Sequence, residues 1–350
     1  MKFAGFPWKE SSRFLPTGVK ETLLRKPKNS LPKQLKPEKT LGKEKTVPLE
    51  RLPREWQEAI NHLSRKKGIF FLLGGADSGK TTFALALANS LRISGIKAGL
   101  VDSDVGQSTF GPPTTVSMVT VTDRDENLRS LKPQSLYFVG NNSPKGHFLE
   151  VIVGTKRMVE KAEESDASSI IVDTSGLIAP FYGTTLKYHK IDLLQPTHVV
   201  AFERRGELKE ILSAIQGKKS FQIIRLNVPH QVKKISPLER YERRKKNYKR
   251  YFSTAKEIEL YGKKIAIYPP KLDLFKTRDP FNLLIGLRDE LGETLGLGIL
   301  TGLSERSLKV LTPVSEAKKV STISTIVLGA LKVEPSGEEV GRIGVFGGHY

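Results

Sequence analysis

Through the middle of the chain, short apolar runs alternate with longer stretches whose apolar residues return every three or four positions. Unbroken runs of four or five largely apolar residues predict buried strands, and the three-to-four spacing predicts helices with one face on a core. On that basis 69–73, 98–101, 136–139, 169–172, 198–202 and 222–226 read as strands. The stretches 53–67, 82 to about 94, 148–164, 186–194 and 206–215 read as the helices between them. In the first of these helices Trp56, Ile60 and Leu63 share a face, Pro53 suits the first turn and Gly68 suits the C-terminal cap. Strands and helices joined by short connections predict an α/β fold with a doubly wound, mainly parallel sheet. In such sheets ligands bind beyond the carboxyl ends of the strands. From about Ser253 the pattern changes. Short runs at 257–268, 283–287, 296–300, 308–311 and 322–333, with glycines between them, predict a small β domain of partial-barrel type. The expected organisation is an arm over 1–52, an α/β domain over 53–252 and the β domain over 253–350.

Between the first strand and the following helix lies Gly74-Gly75-Ala76-Asp77-Ser78-Gly79-Lys80-Thr81. It fits the phosphate-binding pattern G-x-x-x-x-G-K-[ST] in the strand–loop–helix context that the pattern needs, and so predicts a P-loop. Glycines let backbone N–H groups turn inward around phosphate oxygens, and the helix N-terminus adds partial positive charge. Gly74, Gly75, Asp77, Ser78, Gly79, Lys80, Thr81 and Thr82 are the expected contacts to ATP or another nucleoside triphosphate. Lys80 is expected at the β- and γ-phosphates, and Thr81 at Mg²⁺. A second constellation, Val101-Asp102-Ser103-Asp104-Val105-Gly106-Gln107-Ser108, closes the second strand. Carboxylates at i and i+2 on a strand point to one face. Beside a phosphate loop, Asp102 and Asp104 are therefore expected to face phosphate and metal, one of them taking a proton from an attacking hydroxyl. Gln107 would orient substrate or a metal-bound water. The following segment, Phe110–Ser117, reads as a shaped loop.

Charge changes the picture further. The 350 residues carry a formal net charge of +20 at pH 7. It is concentrated: 1–52 holds 13 Lys/Arg against 5 Glu, and 231–256 holds 10 against 2. Two basic segments on a nearly neutral body suggest a polyanionic partner. The first, rich in Lys and Pro without periodicity, reads as a disordered or loosely docked arm. No cysteine is present, which excludes disulfides and thiolate metal sites, and six scattered histidines show no ligand spacing. No stretch approaches the ~20 apolar residues of a membrane span. The N-terminal residues show no apolar core of a secretory signal, so the expected location is cytoplasmic.

Taken together, Gly74-x-x-Asp77-x-Gly79-Lys80-Thr81 and Asp102-x-Asp104-x-Gly106-Gln107 resemble the polynucleotide 5′-hydroxyl kinases of RNA processing, including their archaeal members. Asp192-Leu193-Leu194-Gln195-Pro196-Thr197-His198-Val199-Val200, and Tyr251-Phe252 after a basic helix, are similar to the family as well. The resemblance spans roughly 53–333. It implies transfer of the γ-phosphate of a nucleoside triphosphate to 5′-hydroxyl ends of RNA or DNA. It implies Lys80 at the phosphates, Thr81 as metal ligand and Asp104 as general base, with Asp102 supporting the metal shell and Gln107 positioning metal or substrate. It implies a clasp over the substrate end, where Thr174 and Gly176 stand in Thr174-Ser175-Gly176-Leu177 with leucine in place of the family's tryptophan. It also implies a lid with phosphate-reaching arginines in the 239–250 segment. Arg244 and Arg250, or Lys249 beside it, are the candidates.

Other readings stand beside this one. Asp173-x-x-Gly176 ends a strand, as in switch-type GTPases and ATPases that sense a γ-phosphate through Mg²⁺. No N-K-x-D guanine reader accompanies it; Pro270-Lys271-Leu272-Asp273 is a near miss in the expected β domain. In the kinase reading Asp173 is an additional metal candidate. A non-enzymatic RNA-binding scaffold and a small-molecule kinase are the remaining alternatives. Deleting residues 1–50 is expected to weaken polymer affinity more than chemistry. In a binding titration the loss should shrink as salt is raised, because fewer counterions are released.

Overall fold

The computed structural model describes residues 48–122, 124–125, 127–218, 220–261, 265–270, 279–304 and 306–343. Most of the basic arm and the 271–273 near miss fall outside them. The described residues belong to one compact unit. In chain order the α/β part runs α1 (Arg54–Leu63), β1 (Gly68–Gly74), α2 (Lys80–Ile93), β2 (Ala98–Ser103), β3 (Thr115–Val121), β4 (Ser135–Phe138), α3 (Phe148–Glu164), β5 (Ser169–Thr174), α4 (Tyr182–Leu194), β6 (His198–Glu203), α5 (Lys209–Ile215), β7 (Gln222–Asn227) and α6 (Pro237–Phe252). It is followed by β8 (Lys256–Tyr261), β9 (Ala266–Tyr268), β10 (Leu283–Asp289), β11 (Thr294–Leu303), β12 (Ser307–Thr312), α7 (Ala317–Val320), β13 (Ile323–Val333) and β14 (Glu339–Arg342).

The first sheet has the order β4-β3-β2-β5-β1-β6-β7. Five strands are parallel, while β3 and β4 add antiparallel to the β2 edge. The shaped loop expected over Phe110–Ser117 therefore gives way to a strand from Thr115. Its sequence, Thr-Val-Ser-Met-Val-Thr-Val, alternates small polar with apolar residues, and that signal stands in the chain unread. All seven of these residues are buried, so tertiary cover rather than a long apolar run makes the strand. The central strands feed two cores by their period of two. Phe70 and Leu72 pack with α1 and α2, whereas Phe71 and Leu73 pack with α3, α4 and α5.

The second sheet has the order β14-β13-β10-β11-β12-β8, with β9 paired to β13. The expected single strand over 257–268 is two, β8 and β9. Among the described residues no pairing closes this sheet into a barrel. Its glycines have a packing reason. Phe138 of β4 lies on the second sheet, and a Cβ on Gly286 would stand 2.5 Å from its ring. Helix α6 joins the two sheets from outside. Ser236 and Glu239 form a reciprocal capping box with Pro237 in the first turn, which starts a helix of otherwise unfavourable charge density. Tyr248 and Phe252 then bury among Leu297, Ile299 and Val327, leaving the basic face of α6 turned away from that core.

Trp56 ties α1 to the phosphate loop. It is 2% exposed, meets Phe83 and Phe202 edge-on, and donates its Nε1–H to the Asn227 carbonyl at 3.0 Å. Its ring fills the space that a Cβ on Gly79 would need, at 2.4 Å, and Gly79 adopts φ +88°. Glycine is thus required there twice, by the backbone and by the close approach. Trp56→Ala should lower the unfolding free energy by about 3–5 kcal/mol, measured by denaturant titration.

Candidate active site

The carboxyl ends of β1, β2 and β5 open on a cleft of about 700 Å³ whose opposite wall is α6. Six of the expected nucleotide contacts, Asp77, Ser78, Gly79, Lys80, Thr81 and Thr82, line it. Gly74 and Gly75 sit behind. Their carbonyls accept the Lys80 Nζ at 2.9 and 2.6 Å, and Ser78 Oγ donates to Gly75 O at 2.9 Å. Lys80 is 6% exposed. Burial lowers its pKa, and the charges of Asp173, Asp104 and Asp77 oppose that shift. An ammonium folded onto its own loop in this way is available to phosphate oxygens, which are stronger acceptors than the two carbonyls.

The carboxylates divide differently from the expectation. Strand β2 ends at Ser103, so the same-face argument stops before Asp104. Asp104 lies on the cleft, where its Oδ1 accepts the Gly106 and Gln107 amides at 3.1 Å each. Its Oδ2 has no hydrogen-bond partner among the described residues. Asp102, expected at the metal, is 2% exposed and does not reach the cleft. It accepts Ser108 Oγ at 3.0 Å, the Thr109 amide at 2.6 Å and the Asp104 amide at 3.1 Å, and so builds the loop that carries Asp104. Burial, reinforced by the Asp173 charge, pushes its pKa up to about 7. Asp173, at the end of β5, takes the place beside the phosphate loop. Its Oδ2 accepts Thr81 Oγ1 at 2.5 Å, while its Oδ1 is buried without a partner. Burial raises its pKa to about 6 against the pull of Lys80 and Thr81. An orphaned carboxylate oxygen beside a threonine hydroxyl fits a divalent cation that takes most of its ligands from phosphate and water. No cluster of three acidic, histidine or cysteine side chains offers a complete metal cage among the described residues.

Behind these carboxylates stand two lysines that no motif announces. Lys187 and Lys190 of α4 are both fully buried. Lys187 Nζ donates to Thr174 Oγ1 and the Ser175 carbonyl at 2.7 Å each, and Lys190 Nζ donates to Ser103 Oγ. Burial drives both pKa values down, that of Lys190 to about 7. In the sequence they look like ordinary helical lysines; only their spacing of three, which puts both on one face, hinted at more. Thr174, Gly176 and Leu177 line the cleft, and Gly176 is packed so tightly that a Cβ would meet the Ala76 amide nitrogen at 2.4 Å.

Helix α6 supplies the basic wall. Arg244 reaches the cleft, but its Nε and Nη2 donate to Glu339 of β14 at 2.6 and 3.4 Å, and Asn142 Nδ2 binds the same carboxylate at 3.0 Å to each oxygen. Arg250 also lines the cleft, with one bond to Asn247; Lys249 does not line it. The α6 residue that reaches the phosphate loop is Arg240, which pairs with Asp77. Gln107 Nε2 donates to Gly106 O and Arg240 O at 2.7 and 3.2 Å, and so fastens the Asp104 loop to α6. Arg243, Lys246, Arg129 and Lys233 complete the basic lining. The basic repeats of 239–250 concealed which of them face inward, because a helix's register against its neighbours is a tertiary matter.

A family model described as "mRNA cleavage and polyadenylation factor CLP1 P-loop" matches residues 74–254. The chain belongs to the CLP1 P-loop family. This nucleotide-binding family agrees with the resemblance read from the motifs. Among its relatives the chain is similar to the polyribonucleotide 5′-hydroxyl-kinase of Methanocaldococcus jannaschii, with 34% identity over 83% of this chain and 95% of that one. It is also similar to that of Pyrococcus horikoshii, with 32% identity over 82% and 91%. The solved structure of Clp1p in complex with Pcf11p shares the fold of this CLP1-family chain, with a TM-score of 0.60 at 15% identity over 79% of this chain and 77% of the other. No helix among the described residues is long and apolar enough to cross a membrane.

Arg244→Met should leave Glu339 nearly buried with only Asn142 to bind. Removing one partner of a buried pair costs about 3–5 kcal/mol, so the melting temperature should fall by several degrees. Arg244→Met with Glu339→Gln should recover most of the loss in the same thermal scan.

Proposed function

We propose that this CLP1-family protein transfers the γ-phosphate of ATP, or of another nucleoside triphosphate, to the 5′-hydroxyl end of RNA or DNA. One observation carries the reading. An aspartate with an unpartnered oxygen, Asp104, shares a single cleft with the phosphate-loop Lys80 and Thr81 and with a basic helical wall. The archaeal relatives that cover most of the chain bear the name polyribonucleotide 5′-hydroxyl-kinase, which supports the same activity here.

In this mechanism Asp104 Oδ2 accepts the proton of the 5′-hydroxyl as its oxygen attacks the γ-phosphorus. The new O5′–P bond forms as the bond between that phosphorus and the β–γ bridging oxygen breaks, and the nucleoside diphosphate leaves. The Gly106 and Gln107 amides hold Asp104 in place through Oδ1. Lys80 leaves the Gly74 and Gly75 carbonyls for the β- and γ-oxygens, where its charge offsets that of the leaving group. Thr81 and Asp173 would hold Mg²⁺; of the expected set of Thr81, Asp102 and Asp104, Asp102 alone does not reach the cleft. When bound, such an ion would supply positive charge to offset that of the triphosphate. Arg240, on α6 against the phosphate loop, and Arg250 on the cleft wall are placed to meet phosphate charge. A switch ATPase would use the same Thr81–Asp173 pair, but it has no use for Asp104 beside a basic cleft.

The test is incubation with γ-labelled ATP, Mg²⁺ and a 5′-hydroxyl oligonucleotide. Label should appear on the polymer. Lys80→Ala should abolish it, and Asp104→Asn should keep nucleotide binding while losing most transfer, on the order of 10²–10⁴-fold. Phosphate release without transfer would favour the switch, and undiminished transfer by Asp104→Asn would remove that residue as base.

A further inference from the structure

Beyond Leu177 the chain makes a tight excursion before α4. The Ile178 backbone lies 2.5 Å from where a Cβ on Gly183 would be, and the Ile178 side chain 3.2 Å from where one on Gly75 would be. The turn is thus pinned beside the phosphate loop. At its tip the Tyr182 amide donates to the Pro180 carbonyl at 2.8 Å, and Phe181 sits at φ 65° and ψ −66°. This is the strained hand of the γ-turn, rare outside glycine. The turn exposes two aromatic rings. Phe181 is 73% and Tyr182 43% exposed, with ring centroids 5.4 Å apart. Phe148 meets Tyr182 edge-on, with ring centroids 6.1 Å apart, and Lys145 Nζ stands 5.3 Å over the Tyr182 ring. Lys145 follows Pro144, which lines the active-site cleft, as does Leu177 at the turn's other end.

Large apolar rings in a strained turn at the rim of a basic cleft lie where single-stranded nucleic acid needs a stacking surface. Bases offer π faces, and the phosphates between them match the cationic rim. We propose that Phe181 and Tyr182 form a platform on which bases of a single-stranded polynucleotide stack, 3′ of the reacting end, so that the preferred substrate is a single-stranded 5′ end. The proposal rests on the kinase reading for its substrate but concerns residues that the transfer step does not use. Duplex ends, whose bases are already paired and stacked, cannot use the surface without opening.

The experiment places 2-aminopurine at the second or third nucleotide of a 5′-hydroxyl RNA and follows its fluorescence on binding, alongside steady-state transfer. Wild-type protein should quench the probe. Phe181→Ala with Tyr182→Ala should abolish the quenching and raise the KM for the oligonucleotide about tenfold, leaving kcat and the KM for nucleotide within about twofold. Phe181→Trp should retain both. Phe181→Ala alone, at the more exposed position, serves if the double variant melts early. Replacing the stacked bases with abasic sites should cost wild type the same factor and cost the double variant nothing more. If wild type labels no 5′-hydroxyl end, the kinase reading falls. If it labels them, and the alanine variant matches wild type in quenching and KM, the platform alone is overturned and the rings are left for a protein partner.

Discussion

Six ionisable groups, three acidic and three basic, are gathered at the carboxyl ends of β1, β2 and β5, and the rest of the site depends on their balance. Lys80, Lys187 and Lys190 face Asp102, Asp104 and Asp173, and all but Asp104 are buried. A buried charge without a partner costs several kcal/mol, so no member can be understood alone. Each ammonium is fixed by hydrogen bonds to loop carbonyls or hydroxyls. Of the six oxygens of these three aspartates, two have no hydrogen-bond partner among the described residues, Oδ1 of Asp173 and Oδ2 of Asp104. They are the atoms that the phosphoryl-transfer reading uses. The division of labour follows from burial: Asp102 holds the loop, Asp173 sits by the threonine, and Asp104 faces the cleft.

The second sheet gains a role from helix α6. Its aromatic face is part of that sheet's core, its first turns are fastened to the phosphate loop through Arg240 and Asp77, and Arg244 is held by Glu339 of β14. The basic wall of the cleft is thus carried by two sheets at once. A lid built on this helix would have to exchange carboxylate partners for phosphate oxygens as it closes, a swap of like for like in charge that a basic helix can make at little net cost.

How far these features could be read in advance depended on their range along the chain. The phosphate loop was legible because its chemistry is local: eight consecutive residues set the turn, and the flanking apolar runs set the strand and helix. Asp104 was legible for a similar reason, although the same-face argument that accompanied it failed where β2 ended. Asp102 was misplaced because nothing local tells whether a carboxylate at a strand end meets solvent or the amides of its own following loop. β3 escaped because its small polar residues are buried by neighbours distant in sequence. Lys187 and Lys190 escaped because lysine on a helix is ordinary until the fold covers it.

By itself the sequence determined the alternation of strands and helices, the phosphate loop, the carboxylates at the end of β2 and the presence of a concentrated basic segment, since each is written in residues close together. The tertiary structure alone decided which arginines line the cleft, which carboxylate stands by Thr81, what anchors Arg244 and where aromatic rings remain uncovered. Those outcomes depend on which elements come to lie side by side, and burial and pairing across such contacts are set by packing over the whole chain rather than by neighbours along it.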